Sequence, residues 1–204
     1  MDGGSNRQAG KALAYRALHD PGCLAAVAFE LYADTALERA NAARILRFVS
    51  RKRPELLVPY AGDLLVALDR PERRTRLDAV RSLESLVCIV PEALAAGAGE
   101  VAVSLHDPNS ARVRRGAFRV LATLVGECPD HAPVVWPWLD EALRVNHGDE
   151  AYPALLQAAL GDALEVAPHE ARVRLARLAA LDVGDSRPAV RRIARRLLEL
   201  VSES

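Results

Sequence analysis

The residues best suited to chemistry lie in one short segment, residues 135–140. Asp140 follows Trp136 by four residues, so on a helix the carboxylate and the indole would lie one turn apart on the same face. An acid one turn from a tryptophan is an unusual constellation in this chain. The structural alternative is that Trp136 and Trp138 fill space around the proline between them, while Asp140 pairs with Arg144 one turn later.

Other signals of enzyme chemistry are absent from the sequence. It has no glycine-rich dinucleotide or phosphate motif, no His-Glu-x-x-His and no Cys-x-x-Cys. The five histidines are dispersed, and most fall near predicted helix ends, where a cation is favourable. The stretch 97–99, Gly-Ala-Gly, continues a helical pattern and follows no strand. We therefore expect a non-catalytic protein with no cofactor and no metal site.

The charge of the chain is balanced but unevenly placed. Basic and acidic residues number 27 each, so the chain is not a general polyanion binder. Arginine-rich clusters nevertheless recur with the same phase, at 51–53, 73–76, 112–115 and 191–196. They indicate either a solvated outer face or a surface for an acidic protein, a nucleic-acid backbone or phosphorylated groups. Aromatic residues that could stack on bases are not interleaved with them, so a protein partner is favoured and nucleic acid is the alternative.

A recurring proline sets the positions of all these groups. The four prolines stand 37, 38 and 39 residues apart, at Pro54, Pro91, Pro129 and Pro168. Each follows apolar residues at helical spacing, such as Ala79, Leu83 and Leu86 before the second proline. A fixed period of this length is typical of stacked helix pairs, so we predict an all-α, right-handed α-solenoid of about ten or eleven helices.

The period also divides the chain into segments. We expect a disordered N-terminal tail over residues 1–7 and a single solenoid over 8–204, which begins with a capping pair over 8–33 and ends with a lone helix over 184–202. Four repeats are predicted between them, at 34–69, 70–107, 108–146 and 147–183. Asp20 followed by Pro21 predicts a helix start inside the capping pair.

A column of arginines runs through the repeats. Each stands three residues before an aligned small residue: Arg39, Arg76, Arg114 and Arg191. An aspartate precedes three of them: Asp69, Asp107 and Asp185. Two segments resemble the signature of the HEAT-repeat family: Asp107-x5-Val113-Arg114-x-x-Ala117-x3-Leu121 and Asp185-x4-Val190-Arg191-x-x-Ala194-x3-Leu198. The resemblance covers about 34 to 202 and implies a ladder of Asp and Arg between adjacent repeats. Pro153 stands where the fourth arginine is expected, so the ladder should be broken there.

Asp140 and Trp136 carry a second, narrower resemblance. Counted from the unit proline, Asp140 occupies a position that is apolar in the other units, as Leu65, Ala102 and Ala179. Trp-x-x-x-Asp on a second helix is similar to the HEAT-like alkylpurine DNA glycosylases. That resemblance implies Asp140 as the acid that stabilises a cationic sugar and Trp136 as one wall of its pocket. A third possibility, an enzyme accessory subunit such as a HEAT-like chromophore lyase component, shares the repeat type only.

The second helices of such stacks usually line the concave face. The polar and aromatic residues expected there, together with their neighbours, are Tyr60, Trp136, Trp138, Asp140, Arg144, Arg174 and Arg177. We expect this face, or the basic edge, to bind a helix or extended peptide of mixed charge, so the predicted function is a protein-interaction scaffold. Three scattered cysteines, no signal-peptide pattern and no apolar stretch of membrane-spanning length predict a cytoplasmic protein.

Overall fold

The computed structural model describes residues 3–202, and within them the side chains of 8, 10–161 and 163–201. The described residues are helical with connecting turns and contain no strand. The chain forms two compact units, Met1–Val101 and Ala102–Ser204. This all-helical architecture of successive helix pairs agrees with the α-solenoid predicted from the proline period.

The first unit is built from six α-helices and one that crosses its boundary. These are α1 (Gly3–Ala17), α2 (Pro21–Phe29), α3 (Ala36–Lys52), α4 (Ala61–Val66), α5 (Arg73–Leu86), α6 (Pro91–Ala96) and the boundary helix α7 (Ala98–Val103). Short 3-10 helices extend the second members of the pairs, at Glu30–Tyr32, Pro54–Tyr60 and Ala67–Asp69. The two long helices α3 and α5 pack against each other and form most of the core of this unit.

The second unit continues with longer helices. It contains α8 (Ala111–Glu127), α9 (Ala132–Val145), α10 (Tyr152–Ala159), α11 (Asp162–Glu165), α12 (His169–Asp182) and α13 (Pro188–Ser202), with 3-10 turns at Ser104–His106 and Pro129–His131. Helices α10 and α11 pack on α8, and α12 packs on both α9 and α13. In the other pairs the first element is one long helix. In the fourth repeat this element is divided into two shorter helices, α10 and α11, with a break at Gly161.

The recurring proline begins the second element of each pair. Pro54, Pro91 and Pro129 stand in the first turn, where a missing N–H costs nothing and the fixed φ suits a helix, and Pro168 is the N-cap of α12. Side chains cap some of the helices as well. The carboxylate of Asp20, for example, accepts a hydrogen bond from the backbone N–H of Cys23 at 3.0 Å, which confirms the predicted helix start.

The core is formed by the apolar pattern that precedes each proline. Nine side chains of this pattern are fully buried: Ala42, Leu46, Val49, Ala79, Leu83, Leu86, Ala117, Leu121 and Leu124. They lie at helical spacing on α3, α5 and α8 and supply much of the apolar burial that stabilises the stack.

Two details differ from the sequence-based expectation. A disordered tail was predicted over residues 1–7. Positions 1 and 2 lie outside the described residues, and the backbone is helical from Gly3 onward. Helix α1 thus begins in a stretch of Gly, Ser and Asn whose intrinsic helix propensity is low. The described residues also contain thirteen α-helices instead of ten or eleven, because breaks at Gly97 and Gly161 each divide one predicted helix into two.

Candidate functional site

The structure brings three of the predicted site residues together on the second unit. Asp140 lies on α9, and its Oδ2 is 3.0 Å from Nε of Arg174 on α12 and 3.6 Å from Nε of Arg144 one turn later. The Asp140 side chain is 12% exposed, whereas those of Arg144 and Arg174 are 62% and 43% exposed. The carboxylate is therefore held inside while both guanidinium groups reach solvent.

The two tryptophans have different environments. Trp136 is buried in the core, and its indole N–H has no acceptor among the described residues. Trp138 is half-buried. The glycosylase-like interpretation requires Trp136 to present a face to a flipped base, but a buried ring offers none. The two tryptophans stand two residues apart on α9, which places them about 200° apart around the helix axis, so one indole faces the core and the other the surface.

The remaining predicted site residues lie apart from this cluster. Arg177 is exposed on α12 and makes no ion pair within the described part of the chain. Tyr60 belongs to the first unit, where it lines a groove of about 420 Å³ together with Asp20, Arg53 and Glu55. In the first unit the same column holds Leu65, so the Asp140 arrangement has no counterpart at that position.

The arginine column has a geometry that the sequence did not predict. Each of these arginines donates from Nη1 to backbone carbonyls of the turn before its own helix, and we call the four of them the carbonyl clamps: Arg39, Arg76, Arg114 and Arg191. Arg76, for example, donates to the carbonyls of Arg70 and Pro71, at 2.8 Å each. The clamps satisfy carbonyl groups that the ends of the preceding helices leave without partners.

Carboxylates from the next repeat complete two of the clamps. Arg114 donates from Nη2 to both carboxylate oxygens of Asp149 at 2.8 Å, and Arg39 pairs with Glu72. Asp69, which the ladder implied, is exposed and makes no ion pair within the described residues. The acid that reaches Arg39 is instead Glu72, because it is the N-cap residue of α5 and has the longer side chain.

The other ladder aspartates shape their own turns. The carboxylate of Asp107 accepts from the backbone N–H of Asn109 at 2.9 Å, and that of Asp185 accepts from the backbone N–H of Arg187 at 2.7 Å. Asp185 also pairs with the Arg187 side chain through both oxygens, which lowers the pKa of its carboxyl. These contacts of the two carboxylates are local to the turn.

The fourth repeat lacks its clamp, as the proline at its expected place predicts, and another arginine takes part of the role. Pro153 stands in the first turn of α10 and donates no side-chain hydrogen bond. Arg187, from the turn before α13, donates to the backbone carbonyl of Asp149 at 3.3 Å. The turn of the fourth repeat is therefore held from the C-terminal side.

A buried polar cluster that sequence reasoning missed lies beside this turn. Asp182 ends α12 and is 1% exposed. Its Oδ1 is 2.8 Å from Nε2 of His147, and its Oδ2 accepts a short hydrogen bond from the hydroxyl of Tyr152. Both carboxylate oxygens are satisfied, as a buried charge requires. Burial and the Asp182 carboxylate raise the pKa of the Tyr152 phenol, which keeps the hydroxyl protonated as a donor.

The proline spacing contains the signal for this cluster. Counted fourteen residues from the unit proline, Asp182 occupies the place that is Leu68, Leu105 and Leu143 in the other units, and all three leucines are buried. Gly148, with φ of +87°, lets the chain turn between His147 and Asp149, the residue that pairs with Arg114. The cluster has the chemistry of an internal structural network, since Asp182 has no oxygen left for a ligand.

Comparison with known proteins supports the fold. No protein-family model and no curated protein sequence matches the chain. Two engineered proteins solved by the Northeast Structural Genomics Consortium are similar in structure at 16% identity and a TM-score of 0.73; the matches cover 96% and 97% of this chain and 90% and 54% of theirs. An archaeal HEAT-like repeats protein from Thermococcus onnurineus matches at 16% identity and a TM-score of 0.57, over 95% of this chain and 92% of that one. The chain thus has a helical-repeat fold.

Two further observations concern the chain as a whole. No helix among the described residues has the length and apolar character needed to cross a bilayer. The three cysteines form no disulfide with one another, and the described residues hold no group of three or more metal-ligating side chains.

Proposed function

We propose that this chain is a non-catalytic protein-interaction scaffold of the HEAT-repeat type, acting in the cytoplasm. Its partner-binding site is the exposed part of α9 and α12 that carries Trp138, Asp140, Arg144, Arg174 and Arg177, which we call the α9–α12 face. The occupant that fits is a helix or extended peptide of mixed charge.

The observation that carries this proposal is the position of Asp140. A carboxylate stands in a column that is apolar in the other units, and it holds two arginines from two helices at one place on the surface. Both contacts run through Nε, so the terminal N–H donors of Arg144 and Arg174 are available to acceptors on a partner. A guanidinium group that is already oriented loses less side-chain entropy when it binds a carboxylate or a carbonyl.

Apolar side chains beside the charges add contact area. Val134 and Val145 on α9 and Leu181 on α12 are among the most exposed large hydrophobic residues of the unit. Trp138 adds an aromatic surface of the kind that is enriched at binding hot spots. A surface that combines an aromatic anchor, exposed aliphatic groups and fixed charges suits a polypeptide better than a phosphate backbone.

Quantitative affinity capture tests the proposal. The full chain and its Trp138→Ala and Arg174→Glu variants are immobilised and exposed to extract of the source cell, and bound proteins are measured by mass spectrometry. We expect a defined set of proteins to be lost with both variants and retained by Arg73→Glu, which changes an exposed arginine of the first unit. Capture that is unchanged in both variants contradicts the assigned site, and recovery of nucleic acid in place of protein contradicts the function.

A further inference from the structure

We propose that α13 carries a second, separate binding site, which takes an acidic helical segment of a partner polypeptide. The site is formed by Arg191, Arg192, Arg195 and Arg196 with Pro188 and Glu199, and we call it the α13 basic face. It shares no residue with the α9–α12 face.

The helix fixes all four arginines on one side. They stand at positions i, i+1, i+4 and i+5, which project to the same side of an α-helix. The opposite side, with Val190, Ile193, Ala194 and Leu197, is buried against the rest of the unit, so α13 cannot rotate to hide its charges. Together the side chains line a shallow concavity of about 530 Å³.

The charge of this face is not neutralised within the protein. Arg191 is a carbonyl clamp, so it contacts only neutral oxygens and keeps its full charge. Arg196 shares an exposed contact of 3.2 Å with Glu199, and such pairs are worth little in water. Arg192 and Arg195 are exposed and make no hydrogen bond or ion pair with any other described residue. Four cations therefore face one anion.

The clamps of the other repeats show the contrast. Arg39 pairs with Glu72, and Arg114 pairs with Asp149, each a carboxylate supplied by the repeat that follows. The clamp of α13 contacts the two carbonyls of its own turn and has no such carboxylate within the described residues. The α13 basic face thus presents to solvent a cationic side of the kind that α3 and α8 pair with an acidic residue of the next repeat. An acidic segment would complete the same pattern.

The spacing of the arginines selects the kind of anion. Arg191 and Arg195, like Arg192 and Arg196, are four residues apart, which is about 6 Å along the helix axis. Glutamates four residues apart on a partner helix have the same spacing, and each can be bound by a guanidinium group through two hydrogen bonds. The four positions span only about 8 Å, far less than the 6–10 phosphate contacts of a typical nucleic-acid interface require. The face has no aromatic side chain on which a base could stack.

A binding assay with defined peptides tests this site. The probe is a fluorescent alanine-based peptide as long as α13 with two pairs of glutamates at four-residue spacing, and the control peptide has glutamine in their place. Anisotropy is measured on the full chain at several salt concentrations. We expect binding of the glutamate peptide that weakens as salt rises, and no binding of the glutamine peptide.

Matched variants assign the binding to this face. Arg192→Glu with Arg195→Glu should weaken the peptide at least about tenfold, which is the effect of roughly 1.4 kcal/mol. Arg73→Glu with Arg112→Glu reverses two exposed arginines elsewhere and should leave the affinity within about twofold. Equal losses in the two double variants would overturn the proposal, as would unchanged binding by the first. Circular dichroism of each variant confirms that the helices are intact.

Two further measurements separate this site from its alternatives. Single-stranded DNA of matched charge serves as a competitor; if it binds more tightly than the peptide and is lost with the same arginines, the site is a nucleic-acid site and the proposal is wrong. Trp138→Ala should leave peptide binding unchanged, because that residue lies on the α9–α12 face. A loss with Trp138→Ala would place the peptide on the other face and contradict an independent site.

Discussion

Replacing Tyr152 by phenylalanine removes a single hydroxyl from the buried Asp182 cluster. The Phe ring retains the volume of Tyr152, its edge contact with His147 and the guanidinium of Arg187 over its face. The change therefore isolates the hydrogen bond to Oδ2 of Asp182, an oxygen that would be left buried and without a donor.

The expected cost follows from this burial. An unsatisfied buried acceptor costs about 1–3 kcal/mol, and more when it is charged. For a protein of this size each kcal/mol lowers Tm by about 2–4 °C, so Tyr152→Phe should lower Tm by roughly 2–12 °C. Tyr15→Phe is the matched control, because Tyr15 is exposed and its hydroxyl makes no hydrogen bond within the described residues; its effect should stay within about 0.5 kcal/mol.

A second substitution shows whether the charge is the cause. Asp182→Leu installs the residue that stands at the equivalent place in the other three units and removes the buried carboxylate. In the Tyr152→Phe background it should restore most of the lost stability, because replacing buried polar groups by packed apolar ones is often neutral or stabilising. Urea unfolding monitored by circular dichroism gives the four free energies of the double-mutant cycle. The reasoning is refuted if Tyr152→Phe unfolds within about 0.5 kcal/mol of the wild type, or if adding Asp182→Leu destabilises it further.

Four more substitutions test three separate features of the fold. Burial raises the pKa of Asp78 although four arginines lie nearby, so the charged carboxylate destabilises the folded state above the folded-state pKa. Asp78→Asn should therefore raise Tm at pH 7, and this gain in Tm should vanish below pH 3.8. Thermal melts across this pH range measure the effect. A Cβ at Gly97 would lie 2.3 Å from Cδ1 of Leu65, whereas a Cβ at Gly99 would meet open space. Gly97→Ala should therefore lower Tm, and Gly99→Ala should raise it slightly. A higher Tm for Gly97→Ala than for Gly99→Ala would contradict the close approach of Leu65. Arg114→Lys keeps the charge, but a lysine cannot bind a carbonyl and both oxygens of a carboxylate at once. The substitution should lower the free energy of unfolding in urea by about 1–2 kcal/mol. An unchanged free energy of unfolding would show that the charge alone matters.

The sequence predicts the repeats because their signals are local. A proline in the first turn of a helix and apolar residues four and three apart each report on their own helix, so the buried positions of α3, α5 and α8 follow directly. The same counting singled out Asp140. It also predicted the contact to Arg144, which is one turn away, but not the closer one to Arg174, which lies 34 residues further along the chain.

The missed features depend on packing between helices that are distant in sequence. Asp182 occupies a leucine position, which the proline spacing shows, but its partners Tyr152 and His147 stand 30 and 35 residues earlier in the same repeat and are brought to it only by packing. The arginine column was recognised in the sequence, but its acceptors were not, because every residue type has the same backbone carbonyl. Glu72 in place of Asp69 as the partner of Arg39 is likewise set by side-chain reach across the stack.

The carbonyl clamps have a consequence for how such a chain can change. A backbone oxygen is the same in every residue type, so Arg39, Arg76, Arg114 and Arg191 hold the shape of their turns without constraining the side chains in them. Mutations can accumulate in those turns while the angle between successive helix pairs stays fixed. Positions 71 and 186 are for this reason suitable places to randomise a library, with the clamp arginines, Glu72 and Arg187 left untouched.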